Sequence, residues 1–332
     1  MAFKFLDFES PIRDLESKVV DLKLLNEKSN VDLTPEITSI EARVAHLKSE
    51  IYSNLSPADT LKIARHPDRP NARWLLNAIL TQYTELHGDR LFKDDPAIIG
   101  GLGTLAGQNL VFIAHQKGST TKENIYRNFG MPHPEGYRKA LRLMKLAEKF
   151  KLPIITLIDT PGAYPGLEAE KRGQAEAIAQ NLKYMMTLSV PVVSCVIGEG
   201  GSGGALAIGV ANKVYMLQHA VYSVISPEGA ASILFKDASQ ASVTAKNLKI
   251  TAQDNLKYGI IDEIIPEPLG GSQYDPDLMA KRLGETLAQA LQDLSKQSAE
   301  THQKSRYAKF RKLGVVANTG CHQDNNTDSI KE

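Results

Sequence analysis

An α/β fold in which helices cover the sheet is predicted by two features of the sequence. From about residue 98 to residue 265, short apolar runs alternate with segments of helical spacing, and Gly or Pro residues separate them. The apolar runs are continuous rather than alternating, as in strands that are buried on both faces. Hydrophobic residues make up 42% and charged residues 23% of the 332 residues, which is ordinary for a globular protein.

Residues 10–55 predict a helical hairpin that precedes the α/β region. Ser10 and Pro11 supply a cap and a first-turn proline for the first arm, and the stretch 29–35 breaks the helical pattern. Each arm carries an apolar stripe. The stripe of the first arm is Ile12, Leu15, Val19 and Leu22, and that of the second arm is Ile37, Ile40, Val44, Leu47 and Ile51. Each stripe is too short for an independent coiled coil, so it packs either on the chain's own body or against a second subunit.

Two helices and a pair of strands are predicted next. The first helix begins at Ser56-Pro57, and the second is expected over residues 72–87. Strands are expected at 98–105 and 110–115, joined by a turn that contains Gly107.

The following part of the chain repeats a unit of apolar strand, sharp turn and helix. Further strands are predicted at 153–159, 190–197, 214–217, 222–225 and 260–265. Helices are predicted at 137–150 and 173–188, from Ser226 onward, and from Ala252 to a stop at Gly259.

The last amphipathic helix carries leucines up to Leu294, and the chain turns polar after Ser295. A basic cluster there predicts a solvated helix face rather than a binding patch: Lys304, Arg306, Lys309, Arg311 and Lys312. Residues 318–332 have few apolar side chains and predict disorder. The expected division is a hairpin at 1–55, a main domain at 56–295 and a polar, partly disordered tail at 296–332.

Charge and cysteine content exclude several classes of protein. A net charge of +1 gives no bias toward nucleic acid or anionic membranes. The two cysteines, Cys195 and Cys321, are too few for a disulfide framework or a Cys-rich zinc site, and Cys195 lies in an apolar run as a buried thiol would. No secretory signal and no apolar stretch of about 18 residues occurs, so we expect a cytoplasmic protein with no metal site of its own.

Residues 198–204, with the sequence GEGGSGG, form a glycine turn after one of the predicted strands. Its first, third and sixth residues fit the G-x-G-x-x-G pattern of a dinucleotide site. Such a site also needs a carboxylate about 20 residues further on, and residues 218–220 contain none. The phosphate-binding pattern G-x-x-x-x-G-K-[ST] does not occur either, so a nucleotide site is not expected.

The last five residues of the glycine turn also fit the G-x-S-x-G pattern, with Ser202 as the nucleophile. His219 precedes the aspartates that could complete a catalytic triad, and the two later histidines lie in the polar tail. A triad is therefore not expected. Two interpretations remain: backbone N–H groups that approach a ligand without hindrance from Cβ atoms, or close packing of helix against sheet.

Five segments closely resemble the carboxyltransferase alpha subunits of bacterial-type acetyl-CoA carboxylases. They are HQKG at 115–118, NFGMPHPEGYRK at 128–139, IDTPGAYPG at 158–166, GEGGSGGALAI at 198–208 and VISPEGAASI at 224–233. Their order is that expected for the family, and the resemblance extends over roughly residues 3–315.

The resemblance implies a crotonase-like (ClpP/crotonase) spiral of ββα units and a carboxyltransferase reaction. In that reaction the carboxyl group moves from carboxybiotin to acetyl-CoA, which gives malonyl-CoA for fatty acid synthesis. It also implies an obligate beta subunit that carries its own zinc, in an α2β2 heterotetramer. The biotin carboxyl carrier protein and biotin carboxylase are the other implied partners.

The implied site consists of backbone groups. The resemblance places an oxyanion hole for biotin on the N–H groups of Gly203 and Gly204, with Gly200 and Gly201 beside them. A Gly204→Val change is expected to stop turnover and to leave assembly intact.

Several other residues are candidates that also have structural explanations. Gly162 and Ala163 are expected to line the biotin pocket, and Lys117 either pairs with the transferring carboxylate or is a solvated loop lysine. His115 is expected to be a hydrogen-bonded residue at the end of a strand. Arg138 and Lys139 either lie on a helix surface or bind the phosphates of CoA, and Glu228 is expected at the start of a helix. The alternative functions are a stand-alone crotonase-type acyl-CoA hydratase or decarboxylase and a non-catalytic scaffold.

Overall fold

The structure is a computed structural model that describes residues 4–28 and 32–314. Its α-helices are α1 Ser10–Lys28, α2 Thr34–Ser53, α3 Pro57–Ala64, α4 Ala72–Ile79, α5 Thr121–Tyr126, α6 Pro134–Phe150, α7 Leu167–Lys171, α8 Gln174–Thr187, α9 Ser202–Leu206, α10 Pro227–Phe235, α11 Ala241–Leu248, α12 Ala252–Lys257, α13 Pro276–Ser295 and α14 Ala299–Arg311. Its strands are β1 Gln82–Glu85, β2 Ile98–Leu105, β3 Gln108–His115, β4 Ile154–Thr160, β5 Val192–Gly201, β6 Lys213–Leu217, β7 Val221–Ser223 and β8 Glu263–Ile265. The predicted α/β fold is confirmed.

The strands form one sheet in the order β1-β2-β3-β4-β5-β6-β8 within the described residues. The pairs β1–β2 and β2–β3 are antiparallel, and the remaining pairs are parallel. The long strand β5 pairs with β6 along its first half and with β7 at Glu199–Gly201. The C-terminal ends of β3, β4 and β5 therefore lie at one edge of the sheet, where parallel strands usually place a site.

The core surrounds the central strands. Every residue of β4 and β5 is buried, which explains why both strands read as continuous apolar runs. The helix α6 packs on β2 and β3 and beside α8, while α4 and α13 pack on each other and on β4 and β5. Cys195, within β5, is buried, and burial raises the pKa of its thiol, as expected for an inert cysteine.

Residues 82–85, which the sequence placed in a helix, form β1. The helix α4 ends at Ile79, and the Thr81 N–H then bonds to the Thr104 carbonyl and begins the pairing with β2. An aromatic and a β-branched residue, Tyr83 and Thr84, favour this strand over a further helical turn. The turn between β2 and β3 is shorter than predicted. It contains only Ala106 and Gly107, which take positive φ angles of 47° and 80°.

The hairpin of α1 and α2 packs on the body of the same chain. Its apolar cluster includes Ile63 of α3. The Tyr52 and Tyr274 hydroxyls both donate to the buried Glu9 carboxylate, at 2.6 Å and 3.0 Å. The packing interpretation of the apolar stripes is therefore confirmed.

The first part of the predicted polar tail forms the helix α14, which packs on the main body. Arg306 is fully buried, and Lys309 forms an ion pair with Asp262, so a solvated face is the wrong interpretation for these two residues. The expected disorder at 318–332 lies outside the described residues, and the boundaries at 55 and 295 stay predictions. No described helix combines the length and the apolar character that a bilayer crossing requires.

Candidate active site

The loop after β4 and the glycine turn after β5 touch each other through their backbones. A Cβ atom added to Gly201 would lie 2.1 Å from the Pro161 carbonyl oxygen, and one added to Gly204 would lie 2.4 Å from the Ala163 nitrogen. The structure thus brings together the two groups of residues that the sequence proposed for the biotin side, Gly162-Ala163 and 200–204. Parallel pairing of β4 with β5 is what places the two loops side by side.

The strand β5 extends into the glycine turn and ends later than predicted. The strand β5 continues to Gly201, and α9 begins at Ser202. Ser202 has a φ of 54°, a left-handed conformation that strains a residue with a Cβ atom. An added Cβ on Gly203 would have its nearest neighbour, Ile178, at 3.7 Å. Close packing therefore explains Gly201 and Gly204, whereas a Cβ atom on Gly203 would make only an ordinary van der Waals contact.

Three backbone N–H groups of this region, those of Ala163, Gly203 and Gly204, donate to no backbone carbonyl of the described residues outside regular helix and strand bonding, and the Gly204 backbone lies within hydrogen-bonding reach of the His115 ring. Gly203 and Gly204 lie in the first turn of α9, where N–H groups have no helical partner. These groups can therefore donate to an oxygen atom of a ligand.

A cavity of about 250 Å³ opens beside Gly203. Its lining is mostly apolar and consists of Ser202, Gly203, Leu206, Tyr222, Ser223, Val224, Asn255 and Ile260. The Asn255 side chain is held in place by donating to the Thr251 carbonyl at 2.9 Å. Sequence reasoning missed Tyr222, Val224 and Ile260, because apolar residues in and near strands give no signal that separates a pocket wall from a core.

A chain of alternating charges runs along the same edge of the sheet. The Lys117 amine lies 2.6 Å from the Asp159 carboxylate, which also accepts the Glu199 N–H at 2.9 Å. Arg65 binds Glu199 through two nitrogens, at 2.6 Å and 3.1 Å, and Glu228 at 2.7 Å. Burial by itself would lower the pKa of Arg65, but the two carboxylates outweigh it and raise that pKa. Lys117 is thus an ion-paired residue and not a solvated one.

A family model described as acetyl co-enzyme A carboxylase carboxyltransferase-like matches residues 5–314. The chain belongs to this family. The predicted resemblance, enzyme class and function are confirmed at this level.

Relatives within this carboxyltransferase family are similar over nearly their whole length. A protein of Listeria monocytogenes serotype 4b, named acetyl-coenzyme A carboxylase carboxyl transferase subunit alpha, is 54% identical over 93% of this chain and 98% of its own. Proteins of the same name from Geobacillus sp. and Staphylococcus epidermidis are 54% and 53% identical over 94% of this chain, and over 96% and 99% of their own lengths.

Two solved structures show the same fold at low sequence identity. Transcarboxylase 12S superimposes with a TM-score of 0.56 and 19% identity over 68% of this chain, which spans only 42% of the transcarboxylase chain. A Pseudomonas malonate decarboxylase hetero-tetramer gives a TM-score of 0.54 and 18% identity over 71% of this chain and 94% of the matched chain. The predicted crotonase-like fold is confirmed.

The remaining candidate residues of this carboxyltransferase-like chain are engaged in its own fold. Arg138 binds Asp89 at 2.8 Å. Lys139 is buried and donates to Asp94 at 2.5 Å, so it is neither a surface residue nor free for CoA phosphates. Glu228 lies in the first turn of α10, as predicted. His115 ends β3, as predicted; its ring lies within hydrogen-bonding reach of the Gly204 backbone, although neither ring nitrogen makes a bond of normal distance and angle to a described residue.

Proposed function

We propose that this chain forms the carboxybiotin half of a shared active site, and that a beta subunit supplies the acetyl-CoA half. Together they transfer the carboxyl group from carboxybiotin to acetyl-CoA and form malonyl-CoA. One observation carries the proposal: the two loops are in backbone contact, the N–H groups of Ala163, Gly203 and Gly204 donate to no backbone carbonyl outside regular helix and strand bonding in the described residues, and Gly203 lines a largely apolar cavity.

Carboxybiotin supplies the carboxyl group, and its ureido oxygen takes up negative charge when that group leaves. The N–H groups of Gly203 and Gly204 donate to this oxygen and lower the energy of the charged state. They are part of the backbone and need no reorganisation during the reaction. Loss of one such donor typically costs about 3 kcal/mol of transition-state stabilisation.

The cavity fits a ligand that is apolar apart from one hydrogen-bonding edge. Leu206, Tyr222 and Ile260 present carbon atoms to the ring system, while Gly203 brings a donor to its rim. Gly201 lets the Pro161 carbonyl of the neighbouring loop approach closely, and Gly200 leaves room for the Tyr222 ring that lines the cavity.

The series of ion pairs from Lys117 to Glu228 places charged groups beside the site. Lys117 lies 3.9 Å from the Glu199 carboxylate as well as beside Asp159, so its amine is held at the edge of the sheet. Asp159 already offsets the charge of this amine, so we assign Lys117 only a minor role in holding the transferring carboxylate. Glu199 and Glu228 are both bound to Arg65, so neither is available as the carboxylate base that the hydratase alternative requires.

An exposed apolar surface beside the cavity supports the implied partners. Apolar side chains are exposed in and before α10, with Val224 at 74%, Ile233 at 72% and Leu234 at 69%, and Val224 also lines the cavity. A surface of this kind suits a permanent partner. We assign this surface to contact with a beta subunit, which carries the zinc, in an α2β2 assembly. The assembly works with the biotin carboxyl carrier protein and biotin carboxylase in the cytoplasm.

The test is reconstitution. The chain alone, the beta subunit of the same organism alone and the mixed pair are assayed for malonyl-CoA-dependent carboxylation of free biotin. We expect turnover only from the pair, and no hydration of enoyl-CoA by the chain alone. Enoyl-CoA hydration by the isolated chain would favour the hydratase alternative. An assembled but inactive pair would favour the scaffold.

A further inference from the structure

Two fully buried polar side chains lie behind the glycine turn. His115 is the last residue of β3, and Tyr137 lies in the first turn of α6; both have 0% exposure. A Cβ added to Gly204 would lie 2.9 Å from the Tyr137 hydroxyl, and the Gly204 backbone also adjoins the His115 ring. The two side chains therefore converge on one residue of the turn.

None of the polar atoms of this pair makes a hydrogen bond of normal distance and angle to a described residue, although the Gly204 backbone lies within hydrogen-bonding reach of the His115 ring. These polar atoms are Nδ1 and Nε2 of His115 and the hydroxyl of Tyr137. An unpaired buried polar group costs about 1–3 kcal/mol, and most such groups in folded proteins are paired with protein or with an ordered water. An apolar residue of similar shape at either position would avoid that cost.

Both groups are neutral near pH 7. Burial lowers the pKa of His115 to about 3; Lys117 adds to the shift, whereas Asp159 and the Gly204 backbone oppose it. Burial also raises the pKa of the Tyr137 hydroxyl, and Asp95 adds to this. A neutral imidazole has one donor and one acceptor, and the hydroxyl has one donor, so the pair can hold a water molecule, which both donates and accepts.

We propose that His115 and Tyr137 bind an ordered water against the Gly204 peptide, and that this buried unit positions the Gly204 N–H for the reaction. The Ala163 nitrogen and the Tyr137 hydroxyl both lie against the Gly204 Cα, within 2.9 Å of the position that a Cβ atom would take. Both side chains are positioning residues, since they lie behind the peptide and do not touch the cavity. The catalytic part of this inference depends on the function proposed above, whereas the water site does not.

The experiment combines a crystal structure at about 1.5 Å resolution with kinetics of the reconstituted pair. The variants are Tyr137→Phe, His115→Phe and His115→Gln, which keeps a polar side chain. Tyr215→Phe serves as the matched control, because Tyr215 is a buried tyrosine on β6, away from the turn. We expect density for a water within hydrogen-bond distance of His115 and Tyr137 in the wild type, and none in the Phe variants.

In the kinetics, Tyr137→Phe and His115→Phe should each lower kcat by about 10- to 100-fold, the usual effect of a small misplacement of a catalytic group. The KM for malonyl-CoA should stay within about twofold, His115→Gln should recover most of the rate, and Tyr215→Phe should match the wild type. Unchanged kcat in both Phe variants, or a wild-type structure with no water there, would overturn the inference. An inactive wild-type pair would contradict the proposed function instead, and the crystal structure alone would then decide the water site.

Discussion

At the scale of single residues, the glycines of the turn serve two different purposes. Gly201 and Gly204 are required because the neighbouring loop leaves no room for a Cβ atom. Gly203 has that room, so its lack of a side chain is explained better by access of a ligand to its N–H group. This distinction corrects the expectation that Gly204→Val would leave assembly intact, because any side chain at Gly204 must displace the Ala163 backbone.

Alanine substitutions separate the two roles. Gly204→Ala should lower the free energy of unfolding by about 2 kcal/mol or more, because its Cβ would lie 2.4 Å from a backbone nitrogen that cannot rotate away. Gly203→Ala should leave stability unchanged or raise it by up to about 1 kcal/mol, since its nearest neighbour is at 3.7 Å. Urea denaturation of both variants measures the difference. Equal stabilities would show that the loop moves aside freely.

At the scale of secondary structure, α14 joins the ends of several elements through one buried side chain. The Arg306 guanidinium donates to the Met185 and Leu188 carbonyls, both at 2.8 Å, at the C-terminal end of α8. It also donates to the Val190 carbonyl at 3.0 Å and to Asn212 Oδ1 at 2.6 Å. A helix C-terminus leaves carbonyls without partners, and a cation placed there satisfies them.

Loss of this side chain should loosen α14. Arg306→Ala removes the donor of three buried carbonyls and one of the two donors to Asn212 Oδ1, and we expect a loss of about 3 kcal/mol or more in the free energy of unfolding. Lys304→Ala is the matched control on the same helix, because the Lys304 side chain is 76% exposed and its ion pair with Glu300 contributes little. Chemical denaturation compares the two, and a similar stability for both variants would contradict a structural role for Arg306.

At the scale of the whole molecule, one buried ion pair connects parts of the chain that are far apart in sequence. Arg69, between α3 and α4, binds the Glu267 carboxylate at 2.7 Å and 2.9 Å and also donates to the Ile197 carbonyl of β5. Glu267 lies just after β8 and accepts the His219 and Ser272 N–H groups as well. The pair therefore ties the segment that follows α3 to the middle of the sheet.

This ion pair predicts a pH dependence of stability. Burial would raise the pKa of Glu267, but Arg69 outweighs it and lowers that pKa to about 2. A carboxyl whose pKa is lower when folded adds stability above its unfolded pKa of about 4.3 and loses it as the pH falls toward 2. The free energy of unfolding should therefore drop between about pH 5 and pH 2. The Glu267→Gln variant should be less stable than the wild type at pH 7, and its free energy of unfolding should change less with pH over this range. Parallel plots of the free energy of unfolding against pH for the two proteins would contradict the prediction.

The sequence by itself determined the fold class, the family and the order of most elements, because these depend on local signals. Continuous apolar runs, capping residues and long motifs are readable without knowing what lies across the sheet. The same local reading failed at residues 82–85 and at α14. The strand β1 exists because β2 offers it backbone partners, and Arg306 is buried because carbonyls of other elements meet it.

Only the tertiary structure decided how the candidate site is assembled. The parallel pairing of β4 with β5 brings Ala163 against Gly204, and a spacing of some 40 residues in sequence carries no sign of that contact. Tyr222 and Ile260 became a cavity wall, and His115 and Tyr137 became a buried pair, for the same reason. A contact between distant segments depends on the packing of the elements between them, and local sequence patterns do not encode that packing.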